Sequence, residues 1–230
     1  MAKHKEKHLP YHIVLEALRQ AAGCPLCSIE VEGTKRYLDG LLYESVNDPG
    51  VRRSLRASRG YCPRHAHTLA GFKSGLGTAI LYRDQVELFL DFLKALRQPG
   101  LRRLRPSATA AWSKRAQCPA CHLEAESRER HAAILIEGLA DDEEMRAAFD
   151  ACPGLCVPHF LFVYDRIGDS GTRGYLWEVQ QRKLAALQGE LDDFIARHDY
   201  RRIKDGFGEV GDSWVRALQL MAGQEGGQGP

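Results

Sequence analysis

The chain has 230 residues, 44% hydrophobic and 27% charged, a globular composition that excludes wholesale disorder. Its 32 Lys and Arg against 30 Asp and Glu leave a formal charge of +2, which excludes a uniformly basic nucleic-acid coat but not a local patch. Seven cysteines and nine histidines are the informative excess, and an odd cysteine count favours metal or thiol chemistry over a simple disulfide framework.

The N-terminal residues are basic, but Leu9 to Leu18 contains Pro10, His12 and Glu16, so no secretory apolar core follows. No stretch approaches 18 consecutive apolar residues. The expectation is a cytoplasmic protein that does not enter a membrane. Ile13, Val14, Ala17, Leu18 and Ala21 predict a helix over 11–21. A long proline-free helix is expected over about 25–46, with Leu38, Leu41, Leu42 and Val46 as its apolar residues. Asp48-Pro49 then reads as an N-cap with proline at the first helical position, and the short helix should stop at Gly60. Gly77-Thr78 opens a longer helix with Val86, Phe89, Leu90, Leu93 and Leu96 on one stripe, ending at Pro99-Gly100. A second set of elements follows, closing with a helix from about Gly171 to Arg197 whose stripe is Leu184, Leu187, Leu191 and Phe194. A last helix over about 209–221 carries Trp214, Leu218 and Leu220. No segment alternates with period two long enough to demand a strand, so the fold class is all-α.

The second set repeats the first. Cys24-Pro-Leu-Cys27 recurs as Cys118-Pro-Ala-Cys121, and Gly60-Tyr-Cys62-Pro-Arg-His65 recurs as Gly154-Leu-Cys156-Val-Pro-His159. All four Cys/His positions are displaced by 94 residues without a gap, and residues 24–78 share 15 identities in 55 positions with 118–172. This is a duplication. It divides the chain into a first helical repeat (9–98), a basic linker (99–115), a second repeat (116–200), a C-terminal helix packing on the repeats (201–222) and a disordered tail (223–230).

Each copy holds C-x2-C, then 34 residues, then C-x2-H. Three thiolates and one imidazole fill a tetrahedral zinc shell. The x2 spacing turns two ligands toward one point, and each pair sits where a helix begins, where exposed N–H groups and the positive dipole end favour thiolate. Pairing within copies gives one site from Cys24, Cys27, Cys62 and His65 and another from Cys118, Cys121, Cys156 and His159. Spacing alone does not distinguish this from pairing across copies. Two zinc ions per chain are expected. An iron–sulfur cluster is disfavoured because its fourth ligand is usually Cys, and a redox dithiol because no βαβ pattern surrounds either C-x2-C. Thiols buried as small hydrophobes are the bland alternative.

Other features carry less. Cys152 aligns with Ser58 and reads as a packed small residue; His67 aligns with Leu161 and reads as outside the shared shell, with a neighbour of or substitute for His65 as the lesser alternative. His4, His8 and His12 read as solvent-facing. Glu30, Glu32, Glu124 and Glu126 read as a solvated face or as support for a metal site; residues two apart on a helix do not face each other. Gly206-Phe-Gly208-Glu-Val-Gly211 matches a nucleotide-binding pattern but lacks a strand before it, so it reads as a turn. No nucleophile elbow, metalloprotease helix or P-loop is present. Residues 1–115 carry a net +10 and residues 116–230 a net −8. Arg52, Arg53, Arg56, Arg59 and Arg64 cluster near the first motif and could meet phosphates or an acidic protein face. Opposite charge on the halves also offers a basis for self-association.

The order CPxC, long helix, Asn47-Asp-Pro49, G-[YL]-C-x2-H, and then His198-Asp-Tyr-Arg-Arg202 with Gly211-Asp-Ser-Trp214, resembles an uncharacterised bacterial family with duplicated Cys/His motifs. The second copy departs from it at Asp141-Asp142, where N-D-P is lost. The resemblance implies a single architecture from about Leu9 to Gly223 and no particular activity. The functional expectation is a zinc-stabilised helical scaffold binding an unidentified protein or nucleic acid, without catalysis. An RNA- or DNA-binding protein using the Arg52–Arg64 surface and a redox-sensing zinc–thiolate switch are the alternatives.

Overall fold

The computed structural model describes residues 7–97, 107–199 and 206–224, and these form helices and turns with no strand among them. In chain order the helices are α1 (Leu9–Gln20), α2 (Pro25–Gly40), α3 (Pro49–Ser58), α4 (Pro63–Gly71), α5 (Gly75–Arg97), α6 (Ala108–Ser113), α7 (Pro119–Asp141), α8 (Glu143–Ala151), α9 (Val157–Tyr164), α10 (Ser170–Arg197) and α11 (Ser213–Ala222). A π-helical turn, Leu41–Ser45, prolongs α2, and a 3-10 turn, Gly208–Val210, precedes α11. The expected all-α class is what the structure shows, and the GxGxxG-like segment forms that turn.

Local chemistry sets the helix starts. Asp48 caps α3 by accepting from Val51 N at 2.8 Å. Asp142 does the same for α8 from Met145 N at 2.9 Å, so the second copy keeps the cap although it has lost the proline. Asp169 caps α10 through Thr172 N at 2.7 Å.

The domain boundary does not fall between the copies. One compact unit comprises Met1–Val31 and Ser127–Pro230, the other Glu32–Glu126. These units cut across the repeats expected at 9–98 and 116–200, since α2 and α7 each begin in one unit and continue in the other. The core of the first unit joins Val14, Leu15 and Leu18 of α1 to Leu135, Leu139, Met145, Phe149, Val163 and Leu176. Lys7 and Arg19 reach Glu144 at 2.8 Å each, so the acidic α8 meets basic residues flanking or within α1. The core of the second unit is Leu38, Leu41, Leu42, Leu55, Tyr61, Leu69 and Leu81. There α3 lies on α5, with Arg52 gripping Asp84 through two bonds of 2.7 and 2.6 Å.

The linker also differs from expectation. Residues 98–106 lie outside the described residues, but 107–113 form a capped helix, with Ser107 Oγ accepting from Ala110 N at 3.1 Å. Trp112 of α6 packs on Phe89 and Phe92, with ring centroids 4.7 and 4.9 Å away, and the Arg59 guanidinium stacks on it at 4.1 Å. The rest of the α5 stripe stays in solvent: Val86 is 60% exposed and Leu90 51%. His4, residues 200–205 and the tail 225–230 also lie outside the described residues. Replacing Trp112 by Ala should cost the second unit about 1–3 kcal/mol through lost ring packing and cation–π contact. The check is a lowered urea midpoint followed by circular dichroism; an unchanged midpoint would contradict the packing role of α6.

Candidate metal centres

Each Cys/His pair sits on the first turn of a helix. Cys62 and Cys156 are the N-cap residues of α4 and α9, each with proline in the first turn. Cys24 and Cys118 immediately precede Pro25 and Pro119 at the starts of α2 and α7. Their carbonyls accept the first helical bonds, from Ser28 N at 3.1 Å, His122 N at 3.0 Å, Ala66 N at 2.9 Å and Phe160 N at 2.7 Å. The second residue of each pair lies three positions on, so both side chains face one point.

The turns before α4 and α9 hold these starts in place. Gly154 adopts φ +99, and a Cβ there would lie 2.9 Å from Lys183 Cδ. Next to it, Gln180 clamps Leu155, accepting from its N–H at 3.0 Å and donating to its carbonyl at 2.8 Å. Cys152 is buried beside this turn, accepting from Gly154 N at 3.3 Å and donating to Phe149 O at 3.2 Å.

Two clusters result, and both pair across the copies. Cys24, Cys27, Cys156 and His159 form one, in the first unit; Cys62, His65, Cys118 and Cys121 form the other, in the second. In each, the four ligand-type atoms lie within 4.8 Å of one another. The grouping expected within copies is thereby corrected: Cys62 lies with Cys121, and Cys156 with Cys27.

In the first centre His159 Nδ1 lies 3.4, 3.3 and 3.2 Å from the Sγ atoms of Cys24, Cys27 and Cys156. In the second, His65 Nδ1 lies 3.4 Å from Cys62 Sγ and 3.5 Å from both Cys118 and Cys121. Both rings present Nδ1 to the sulfurs because Nε2 is held by a carboxylate. His159 Nε2 lies 3.1 Å from Glu30 Oε1, and His65 Nε2 lies 2.9 Å from Glu124 Oε1.

These glutamates are 2% and 1% exposed, whereas Glu32 and Glu126, two residues on, face solvent. Each buried carboxylate is neutralised by an arginine from a different repeat position. Arg128 donates to Glu30 at 2.8 Å. Arg64 donates to Glu124 at 3.0 Å through one nitrogen and pairs with its other oxygen through a second. Thr34, the counterpart of Arg128, also donates to Glu124, at 3.1 Å.

Charge accumulates at both centres. Burial works against imidazolium, yet His65 is raised to about 9 by Cys118 and Glu124, and His159 to about 9 by Cys27 and Glu30. Burial would also raise Cys118, but His65 and nearby amides bring it down to about 6. Contacts with Cys24 and Cys27 bring Cys156 down to about 4, while burial pushes Cys24 up. Thiolates gathered at helix starts are what a divalent cation would neutralise.

The other histidines and the arginines of the basic cluster fall elsewhere. His67, His122, His8 and His12 are exposed, and His131 is buried with Nδ1 on Ser127 O at 2.7 Å. Of the five arginines, Arg52 is held by Asp84, Arg59 by Trp112 and Ala111 O at 3.2 Å, and Arg64 by Glu124. Arg53 is exposed and Arg56 half-buried on α3. Sequence reasoning left the buried Glu–Arg pairs unassigned, although the matched Glu30 and Glu124 were a signal. Glu30→Gln or Glu124→Gln should lower metal affinity about 10–100-fold by loosening the histidine, with Glu32→Gln and Glu126→Gln near wild type. Competition titration with a chromogenic chelator measures this, and equal affinities across all four variants would contradict it.

The chain is similar to an uncharacterised 23.9 kDa protein encoded in the xynA 3′ region of Caldicellulosiruptor sp. (strain Rt8B.4), at 23% identity over 203 residues, 88% of this chain and 96% of that protein. No solved structure matches. Residues 6–227 match the family of unknown function DUF6062, and the chain belongs to that family.

Proposed function

We propose that each centre binds one zinc ion as a closed structural site, and that the protein is a zinc-stabilised helical scaffold that presents its surfaces to another macromolecule. The observation that carries the metal reading is the size of the clusters. A tetrahedral zinc with standard bond lengths places sulfurs about 3.8 Å apart and sulfur and nitrogen about 3.6 Å apart. Here Cys27 and Cys156 Sγ are 3.6 Å apart, Cys62 and Cys121 Sγ 3.7 Å, and the sulfur–nitrogen separations run from 3.2 to 3.5 Å. Donors this close surround one ion, whereas an iron–sulfur cluster spreads its ligands over several irons. The carboxylates on Nε2 supply the orientation that metal-bound histidines ordinarily have.

Four protein donors leave no open position for a substrate, so the site favours structure over catalysis. The scaffold reading draws on exposed apolar rows. Trp214, Leu218 and Met221 follow helical spacing along α11 and are 51, 61 and 62% exposed. Nucleic-acid binding through the Arg52–Arg64 surface is the weaker reading, because three of its five arginines have partners within their own unit. No helix among the described residues is long and apolar enough to cross a membrane.

Elemental analysis of chain purified without chelator should find two zinc ions per chain. Less than one ion per chain, with all seven cysteines titrating freely, would refute the metal reading. Protons compete for thiolate and imidazole, so affinity falls as pH falls. Acidification should therefore release zinc to a chromogenic chelator, with loss of helical signal following release. Helix loss that precedes zinc release would contradict a stabilising role.

A further inference from the structure

We propose that the two centres are unequal: α11 seals the centre of the first unit as a permanent site, and the centre of the second unit exchanges its metal through Cys62. This rests on the zinc reading above. Cys24, Cys27, Cys156 and His159 are 6, 1, 1 and 0% exposed. In the second centre Cys62 is partly exposed, and Cys118 and Cys121 are each 8% exposed.

The cover of the first centre is specific. The chain leaves α11 at Gly223, with φ +86, and a Cβ there would lie 3.6 Å from Cys27 Sγ and 4.0 Å from Cys156 Sγ. The end of α11 thus comes into van der Waals range of two ligand sulfurs, and the positive φ at this turn favours glycine. Gln219 and Gln224 close over Gly23, next to Cys24. Arg216 ties α11 to Glu190 of α10, and Ser213 at the start of the helix is fully buried. Beneath lies a cavity of about 190 Å³, walled by Cys24 and Cys156 and by Lys183, Leu187, Arg216 and Leu220. Metal leaving this centre would pass through that space, and α11 forms one wall of it.

In the second unit, α6 packs through Trp112 on Phe89, Phe92 and Arg59. The segment Glu32–Glu126 holds 16 Lys and Arg against 9 Asp and Glu, a net +7, while the rest of the chain nets −5. A partly exposed ligand sulfur on a segment of net positive charge suits approach by small anionic chelators such as polycarboxylates. The chemical class that would load or strip this centre is therefore an anionic low-molecular-weight metal carrier.

The test uses full-length, zinc-loaded protein. It is challenged with EDTA in the presence of N-ethylmaleimide, with time-resolved peptide mass spectrometry and zinc release read together. Cys62, Cys118 and Cys121 should be alkylated at least about tenfold faster than Cys24, Cys27 and Cys156, with one ion released in each phase. Arg216→Ala should accelerate the slow set and leave the fast set unchanged. Equal rates for the two sets, or a slow set unmoved by Arg216→Ala, would overturn the inference. If zinc loading protects no cysteine, the zinc reading itself fails; if it protects all six equally, only the inequality fails.

Discussion

Four donor atoms from two helix starts must meet within a few ångströms, and that requirement organises the chain. The sulfurs that meet in the first unit are 129 residues apart in sequence, and those in the second 59. Closing these loops rather than the local ones costs only about 0.5–1.2 kcal/mol more, because loop entropy grows with the logarithm of length. A structural zinc contributes apparent folding energy of roughly 10–16 kcal/mol. Chain entropy therefore does not decide the pairing. Each C-x2-C meets the C-x2-H of the other copy, and each unit in consequence draws chain from both copies.

The buried carboxylates follow from that arrangement. An imidazole facing three sulfurs needs its other nitrogen satisfied, and Glu30 and Glu124 sit two turns or less along the helix from their cysteines to do so. A buried carboxylate in turn needs a cation. The first unit supplies it from α7, as Arg128, where the other copy has Thr34. The second supplies it from α4, as Arg64, where the other copy has Pro158. After duplication the two copies reached the same electrostatic end by different residues, which explains why Arg64 carries no equivalent in the repeat. It also explains why Arg64, read as part of a basic binding surface, is tied to a buried carboxylate.

Most helices were legible because caps and stops are local. Asp48-Pro49, Gly60 and the long proline-free stretch each act within a few residues. The eight Cys/His positions were legible from a shared offset of 94. Pairing was not, since offset and spacing are identical for local and crossed arrangements. The α5 stripe misled because periodicity marks an apolar face without saying what covers it. The short α6 was hidden in a segment whose arginines and proline read as linker, although Trp112 was the residue able to anchor it.

Crossed pairing is tested most directly by removing one histidine and asking which cysteines lose protection. In zinc-loaded His65→Ala, alkylation mapping should show Cys62, Cys118 and Cys121 becoming reactive while Cys24, Cys27 and Cys156 stay protected. Reactive Cys24 and Cys27, with Cys118 and Cys121 still protected, would contradict it.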